Sequence, residues 1–217
     1  MSYSSAIGRF DAGYSQIGST PSPTAPDVER LYDNIQALMP AVTLPVIEME
    51  LWNTVCEFCI RSTYYRSKIY WEMAPGVSTV DFNPFDVNTL VTWVLHVDGL
   101  TRWEINPPAM LVDLYPPTAS RSGWAIVSLR PKGFDEVKLN ALPELFTTWF
   151  ETMLDGTMFR LYGMPVKPWS SPQLAQYHGT RFRQGINRAR DIAERLHSSQ
   201  QSPSRRYPYF AAGRRKN

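Results

Sequence analysis

The stretch LPELFTTWFETMLDGTMFRLYGMPVKPWSSPQLAQYHGTRFRQGINRARDIAERLH, residues 142–197, decides the fold class. Its first half opens on Pro143 and Glu144 and carries Leu145, Phe146, Trp149, Phe150, Met153 and Leu154 at helical spacing up to Gly163 and Pro165. A first-turn proline loses no hydrogen bond, and glycine followed by proline cannot continue a helix. In the second half Ser171 is a cap and Pro172 the first helical residue, with Leu174, Tyr177, Phe182, Ile186, Ala189, Ala193 and Leu196 as the expected buried stripe. The spacing predicts two helices, 142–162 and 171–197, joined by a short turn.

Toward the N-terminus the same period returns twice. Leu31, Ile35 and Leu38 follow Asp27 and Glu29 and are stopped by Pro40, which predicts a helix over 27–39 with acids at its positive end. Pro45 opens a helix over 45–64 in which Met49, Trp52, Cys56 and Cys59 form one apolar stripe and Leu51, Val55 and Phe58 a second beside it. Two stripes predict burial on more than one side.

Between the helical pairs, residues 66–138 change to a period of two. Ile69–Trp71, Val77–Phe82, Val91–Val97, Thr101–Ile105, Met110–Leu114 and Trp124–Leu129 read as short strands punctuated by Pro84, Pro107-Pro108 and Pro116-Pro117. Asp98-Gly99 between two strand runs predicts a hairpin, because a type I′ turn needs positive φ at both central residues. The expected architecture is α+β, a bundle of about four helices with an inserted small antiparallel β-sheet.

The ends differ from this body. Residues 1–26 are rich in Ser, Gly and Pro and read as a flexible N-terminal arm; residues 27–197 form the body; residues 198–217 form a basic, aromatic C-terminal tail. Residues 181–217 hold ten Lys or Arg against Asp191 and Glu194, whereas residues 1–180 hold twelve against eighteen acids, so a net charge of +2 conceals an acidic body and a basic end. Arg205, Arg206, Tyr207, Tyr209, Phe210, Arg214, Arg215 and Lys216 combine the residue types that anchor protein interfaces, so the tail reads as a docking peptide. On the last helix Arg181, Arg188 and Arg195 stand seven apart on one face, with Arg183 and Arg190 offset, a stripe able to meet phosphates or acids or simply to be solvated.

Little in the chain points to catalysis. Its only histidines, His96, His178 and His197, stand in no recognisable motif, and His178 and His197 read as helix-surface residues. Cys56 and Cys59 have the spacing of half a zinc site, yet no second pair of Cys or His completes it, so they read as core. No apolar run approaches the roughly 20 residues of a membrane span, and residues 1–20 lack the apolar segment of a signal peptide. The reading is of a non-enzyme without metal or cofactor.

Two stretches resemble the head-to-tail adaptor, or connector, proteins of tailed bacteriophages. One is Trp52 to Thr63, which carries Glu57, Phe58, Cys59 and Arg61 in the family's Glu-Phe-Cys-x-Arg order just before the β-insert. The other runs from Gly156 through Gly163, Pro165, Pro168 and Trp169 to Tyr177, Phe182, Gly185, Ala189 and Arg190, and is similar to the family's C-terminal helical hairpin almost in register. With the element order, the likeness spans residues 44–196 and leaves out both arms. It implies a structural protein of the virion neck, assembled in the host cytoplasm, in a ring of twelve copies below the portal. The ring prolongs the DNA channel and offers a platform to tail proteins such as nozzle, tube or collar. The implied partners are therefore portal, tail proteins, further copies of the chain and passing DNA, with no membrane. The tail, Arg205 to Lys216, is the expected portal contact. An alternative from the charge alone is a nucleic-acid-binding module built on the basic helix and tail.

Overall fold

The computed structural model describes residues 26–82, 89–98, 103–106, 110–113, 118–133, 142 and 144–198. Among these are five α-helices: α1 (Pro26–Leu38), α2 (Leu44–Ser62), α3 (Glu144–Thr147), α4 (Phe150–Tyr162) and α5 (Pro172–Ser198). Six strands lie between α2 and α3: β1 (Arg66–Met73), β2 (Thr79–Asp81), β3 (Thr89–Val97), β4 (Trp103–Asn106), β5 (Met110–Asp113) and β6 (Arg121–Pro131). The fold is α+β, a helical bundle carrying small antiparallel sheets.

The bundle core is formed by Leu31 and Ile35 of α1, Ile47, Leu51, Val55 and Phe58 of α2, Leu145 and Phe146 of α3, Met153, Met158 and Leu161 of α4, and Phe182, Ile186 and Ala189 of α5. Helix α2 buries the side centred on Leu51, Val55 and Phe58, whereas Met49 is half exposed and Cys56 only partly covered. The two expected stripes are thus unequal: the first is buried only at Cys59, with Trp52 and Cys56 partly covered and Met49 facing solvent. The helix ends at Thr63, which takes a left-handed conformation (φ 48°) and donates its N–H to the Cys59 carbonyl.

The helix expected over 142–162 is divided. The N–H groups of Thr148 and Trp149 both donate to the Glu144 carbonyl at 3.0 Å, and the wider i→i−5 loop at Trp149 breaks the ladder. It turns the Trp149 ring onto Phe58 and Tyr64, with centroids 5.4 and 5.3 Å away. The aromatic contacts offset the lost regularity.

In α5 the inward positions are Ala175, Gly179, Phe182, Ile186, Ala189 and Ala193, alternating four and three residues apart. Leu174, Tyr177 and Leu196, expected in this stripe, are about half exposed and lie off the seam. Small residues let α4 approach closely: a Cβ on Gly156 would lie 2.4 Å from Thr54 Cγ2 and 2.8 Å from the Phe182 ring, and one on Gly185 would lie 2.4 Å from Thr152 Oγ1.

The described residues of the insert form two three-stranded sheets, ordered β1-β6-β3 and β2-β5-β4. Among the described residues no strand pairing forms the expected hairpin across Asp98-Gly99: β3 pairs with β6, and β4 with β5 in the other sheet. Burial decides the partner, since Val91, Val94 and Val97 stand opposite Leu129, Val127 and Ala125 on one inner face. Trp71, Met73, Phe82 and Val80 complete this second core. Two bulges, near Thr92 and Leu95, interrupt the edge strand β3.

Candidate functional site

The two stretches that carry the family resemblance lie about a hundred residues apart in sequence and meet in one unit made by α2, α4 and α5. Glu57 on α2 accepts from Arg61 at 2.5 Å, one turn away, and from Arg160 of α4, also at 2.5 Å. Arg190 of α5 donates through Nε (3.1 Å) and Nη2 to the carbonyl of Arg61, in the last turn of α2. Arg66 donates to the Thr63 carbonyl at 2.7 Å from the β1 side. The final carbonyls of a helix lack intrahelical donors, so these guanidiniums cap α2 and complement its negative end. The junction between bundle and sheets is therefore held by α5 as well as by the chain itself. Burial lowers the pKa of Arg66, opposed by the nearby Glu194 carboxylate.

Phe58 and Cys59 are wholly buried in the bundle core. Burial pushes both thiols up, Cys59 far above the usual range; for Cys56 the neighbouring Arg130, whose Nη1 lies 3.7 Å from Sγ, works in the opposite direction. Both are held as neutral thiols, poor nucleophiles and poor metal ligands. Among the described residues no group of three His, Cys, Asp or Glu is arranged to hold a metal ion. The described residues also contain no helix long and apolar enough to cross a membrane.

In the hairpin turn, Gly163 ends α4 but in a right-handed conformation (φ −76°); the left-handed residue is Val166 (φ 60°), whose side chain is 99% exposed. Trp169 lies under Lys167 Nζ at 5.9 Å. Ser171 accepts from the Leu174 N–H at 3.4 Å, and its own N–H donates to the Tyr162 carbonyl, fixing where α5 starts. Phe182 and Gly185 face α4; Ala189 is buried; Tyr177 points outward.

A polar cluster between α4 and α5 has no counterpart in the sequence reading. The Asp155 carboxylate is buried and receives His178 Nδ1 on one oxygen and Arg181 Nε on the other, each at 2.8 Å. The His178 ring stacks on Tyr162 (centroids 5.6 Å, 15°) and meets Tyr177 edge-on. Arg181 also donates to Tyr177 Oη at 2.9 Å; that bond first, and then the Asp155 charge, raise its pKa. His178 is thus a partly buried link between helices, not the surface residue expected. The signal was available: Asp155, His178 and Arg181 flank the seam residues Gly156, Gly179 and Phe182, but only knowledge of how the helices cross pairs them.

The arginine stripe is partly committed within the fold. Arg181 is held by Asp155, Arg183 donates to the Gly179 carbonyl at 3.1 Å, and Arg190 caps α2. His96, the strand histidine, pairs with Asp98 at 2.8 Å on the exposed sheet edge. The docking-peptide residues, Arg205, Arg206, Tyr207, Tyr209, Phe210, Arg214, Arg215 and Lys216, lie outside the described residues, as does the N-terminal arm before Pro26.

The chain matches no protein-family model and no curated protein.

Proposed function

We propose that this protein is a structural head-to-tail adaptor of a tailed phage, forming a ring below the portal that prolongs the DNA channel and receives tail proteins. The observation that carries the reading is the convergence of the two family-like stretches: Glu57 and Arg61 meet Arg160 and Arg190, and Gly156 lies close against Thr54. Residues that recur in a family for a shared architecture are expected to touch one another, and these do. The proposed ring uses heterologous contacts, so two different faces of each copy meet. Helix α2 with exposed Met49 and Ile60, and β3 with exposed Trp93 and Leu95, offer two separate apolar patches for them. The tail beyond Ser198 is the proposed portal contact.

The test is the mass of the full chain, alone and mixed with a candidate portal protein, by light scattering on a sizing column. A complex with one adaptor per portal subunit is expected. A variant lacking residues 198–217 should keep its melting curve and lose the complex. Absence of any complex with the full chain refutes the adaptor reading; a complex that survives the truncation refutes the role of the tail.

A further inference from the structure

The first turns of α5 expose a surface that is nearly free of charge. From Tyr162 to Thr180 the sequence holds no carboxylate, and its only Lys or Arg is Lys167. Leu174 and Tyr177, one turn apart, are about half exposed. Opposite the seam, Gln173, Gln176, Tyr177, Thr180, Arg181 and Gln184 line an open groove of about 470 Å³. A glutamine amide both donates and accepts, as a peptide group does, and a tyrosine ring covers an apolar side chain. Three such amides beside an exposed phenol therefore suit an extended polypeptide.

Charge and reach decide which polypeptide. The Arg181 guanidinium is held by Asp155 at 2.8 Å, with a Glu151 carboxylate oxygen 3.9 Å away, so the groove attracts neither sign strongly. Arg188, one turn beyond Gln184, pairs with no carboxylate among the described residues. Residues 199–217, with five Lys or Arg and no acid, gain nothing there and meet a like charge at its end. Residues 1–25 are the better match: their only charges are Arg9 and Asp11, six Ser and three Gly leave the backbone open, and Phe10 and Tyr14 supply rings.

The arm can also arrive. Helix α1 begins at Pro26, and its Arg30 lies 5.1 Å over the ring of Phe150, the first residue of α4. Thr152, two residues on, faces Gly185 of α5. From Gly185, Tyr177 is about 12 Å back along the helix, and the outward side is about 16 Å around it. The chain from Tyr14 to Pro26 spans up to about 40 Å when extended, enough for this path. A tethered segment also presents itself at about millimolar effective concentration, ahead of a free partner.

We infer that residues 1–25 dock on the α5 groove of their own chain, with backbone groups on Gln173, Gln176 and Gln184 and the rings of Phe10 and Tyr14 against Tyr177 and Leu174. The inference gives a place to the arm, to which the adaptor reading assigns no role, and it does not depend on that reading. The docked arm closes this face of α5 to other proteins until it is displaced.

The experiment places a photocrosslinker in the full chain as Gln176→p-benzoylphenylalanine, mixes chains of natural and heavy-nitrogen composition, and identifies crosslinked peptides by mass spectrometry. Crosslinks to residues 1–25 within one isotope are expected, reduced at least fivefold by Phe10→Ser with Tyr14→Ser. Lys68→p-benzoylphenylalanine, on the sheet, should capture the arm at least fivefold less. Equal capture at both positions, crosslinks joining two isotopes, or capture of residues 199–217 instead overturns the inference. A second measurement needs no crosslinker: trypsin cuts after Arg9, the only basic residue before Arg30. Leu174→Ser with Tyr177→Ser, whose melting curve shows whether it is folded, should speed that cut at least fivefold, and an unchanged rate in the folded variant overturns the inference. Either result leaves the adaptor reading to the portal complex, which is measured separately.

Discussion

Gly156→Ala tests the closeness of the three-helix unit because two effects of opposite sign compete at one atom. Replacing a glycine in a helix interior by alanine ordinarily stabilises by about 1 kcal/mol. Here the added Cβ falls 2.4 Å from Thr54 Cγ2 and 2.8 Å from two atoms of the Phe182 ring, and both neighbours are buried. Carbon atoms at rest are about 3.5–4.0 Å apart. Neither Thr54, pinned by its hydroxyl to the Glu50 carbonyl at 2.8 Å, nor Phe182 in the seam can move aside without shifting α2 or α5. Overpacking of about 2–3 kcal/mol thus outweighs the propensity gain, leaving a net loss of about 1–2 kcal/mol. For a chain of this size that lowers the melting temperature by roughly 3–6 °C. Differential scanning calorimetry of the single variant, and of the pair with Thr54→Ser, is the assay. Serine keeps the hydroxyl bond and removes the closest methyl, so it should cost stability in the parent but recover part of the loss in Gly156→Ala. A raised melting temperature for Gly156→Ala, or additive losses in the pair, would refute the packing argument.

Three further outcomes follow from separate features. Val166→Gly should stabilise by about 0.5–1 kcal/mol in urea unfolding, since a left-handed residue with a Cβ costs about 1–2 kcal/mol and glycine gives back part through its unfolded-state freedom; a lower midpoint would contradict it. Asp155→Asn should cost about 1–3 kcal/mol, because an amide cannot accept on both sides from His178 and Arg181, and an unchanged denaturation midpoint would count against the cluster as a link between helices. Cys59 has its folded pKa raised by burial, so its contribution to stability is complete below about pH 8.5 and declines above it, by about 1.4 kcal/mol per pH unit, as the unfolded thiol alone ionises. Unfolding at stepped alkaline pH should show that slope, and Cys59→Ala should reduce it by one proton's worth; an identical slope in both proteins would reject the assignment.

The helix ends were legible because their causes are local. Pro45, Pro172 and Ser171 place the starts of α2 and α5, and the stop after Tyr162 falls at Gly163 as the spacing implies. Which side of each helix is covered was not legible: Met49, Leu174 and Leu196 have the right period, yet each is about half exposed. Strand partners were lost for the same reason. Asp98-Gly99 is a sound local turn signal, but β3 is claimed by β6 through the inner face of Val91, Val94 and Val97. A better clue stood at Gly123, a glycine inside a strand, where a Cβ would come 2.5 Å from the Asp98 carbonyl oxygen. Of the candidate site, the residues Glu57, Arg61 and Arg190 could be picked out by resemblance, whereas Arg160 and Asp155 could be found only after the helices were laid side by side.

The seam of α5 contains five small or aliphatic residues and a single large ring, Phe182, opposite Gly156. A seam repeating every seven residues would by itself permit α5 to slip along its axis by one repeat, about 10 Å, and still present the same spacing. Phe182 forbids this, because one repeat away stand Ala175 and Ala189, and the notch at Gly156 would be left empty while the ring collided elsewhere. The ring and its notch act as a detent on a sliding bolt: they set the axial position of the helix once, and whatever pulls on the chain beyond Ser198 must first lift Phe182 out of place before α5 can travel.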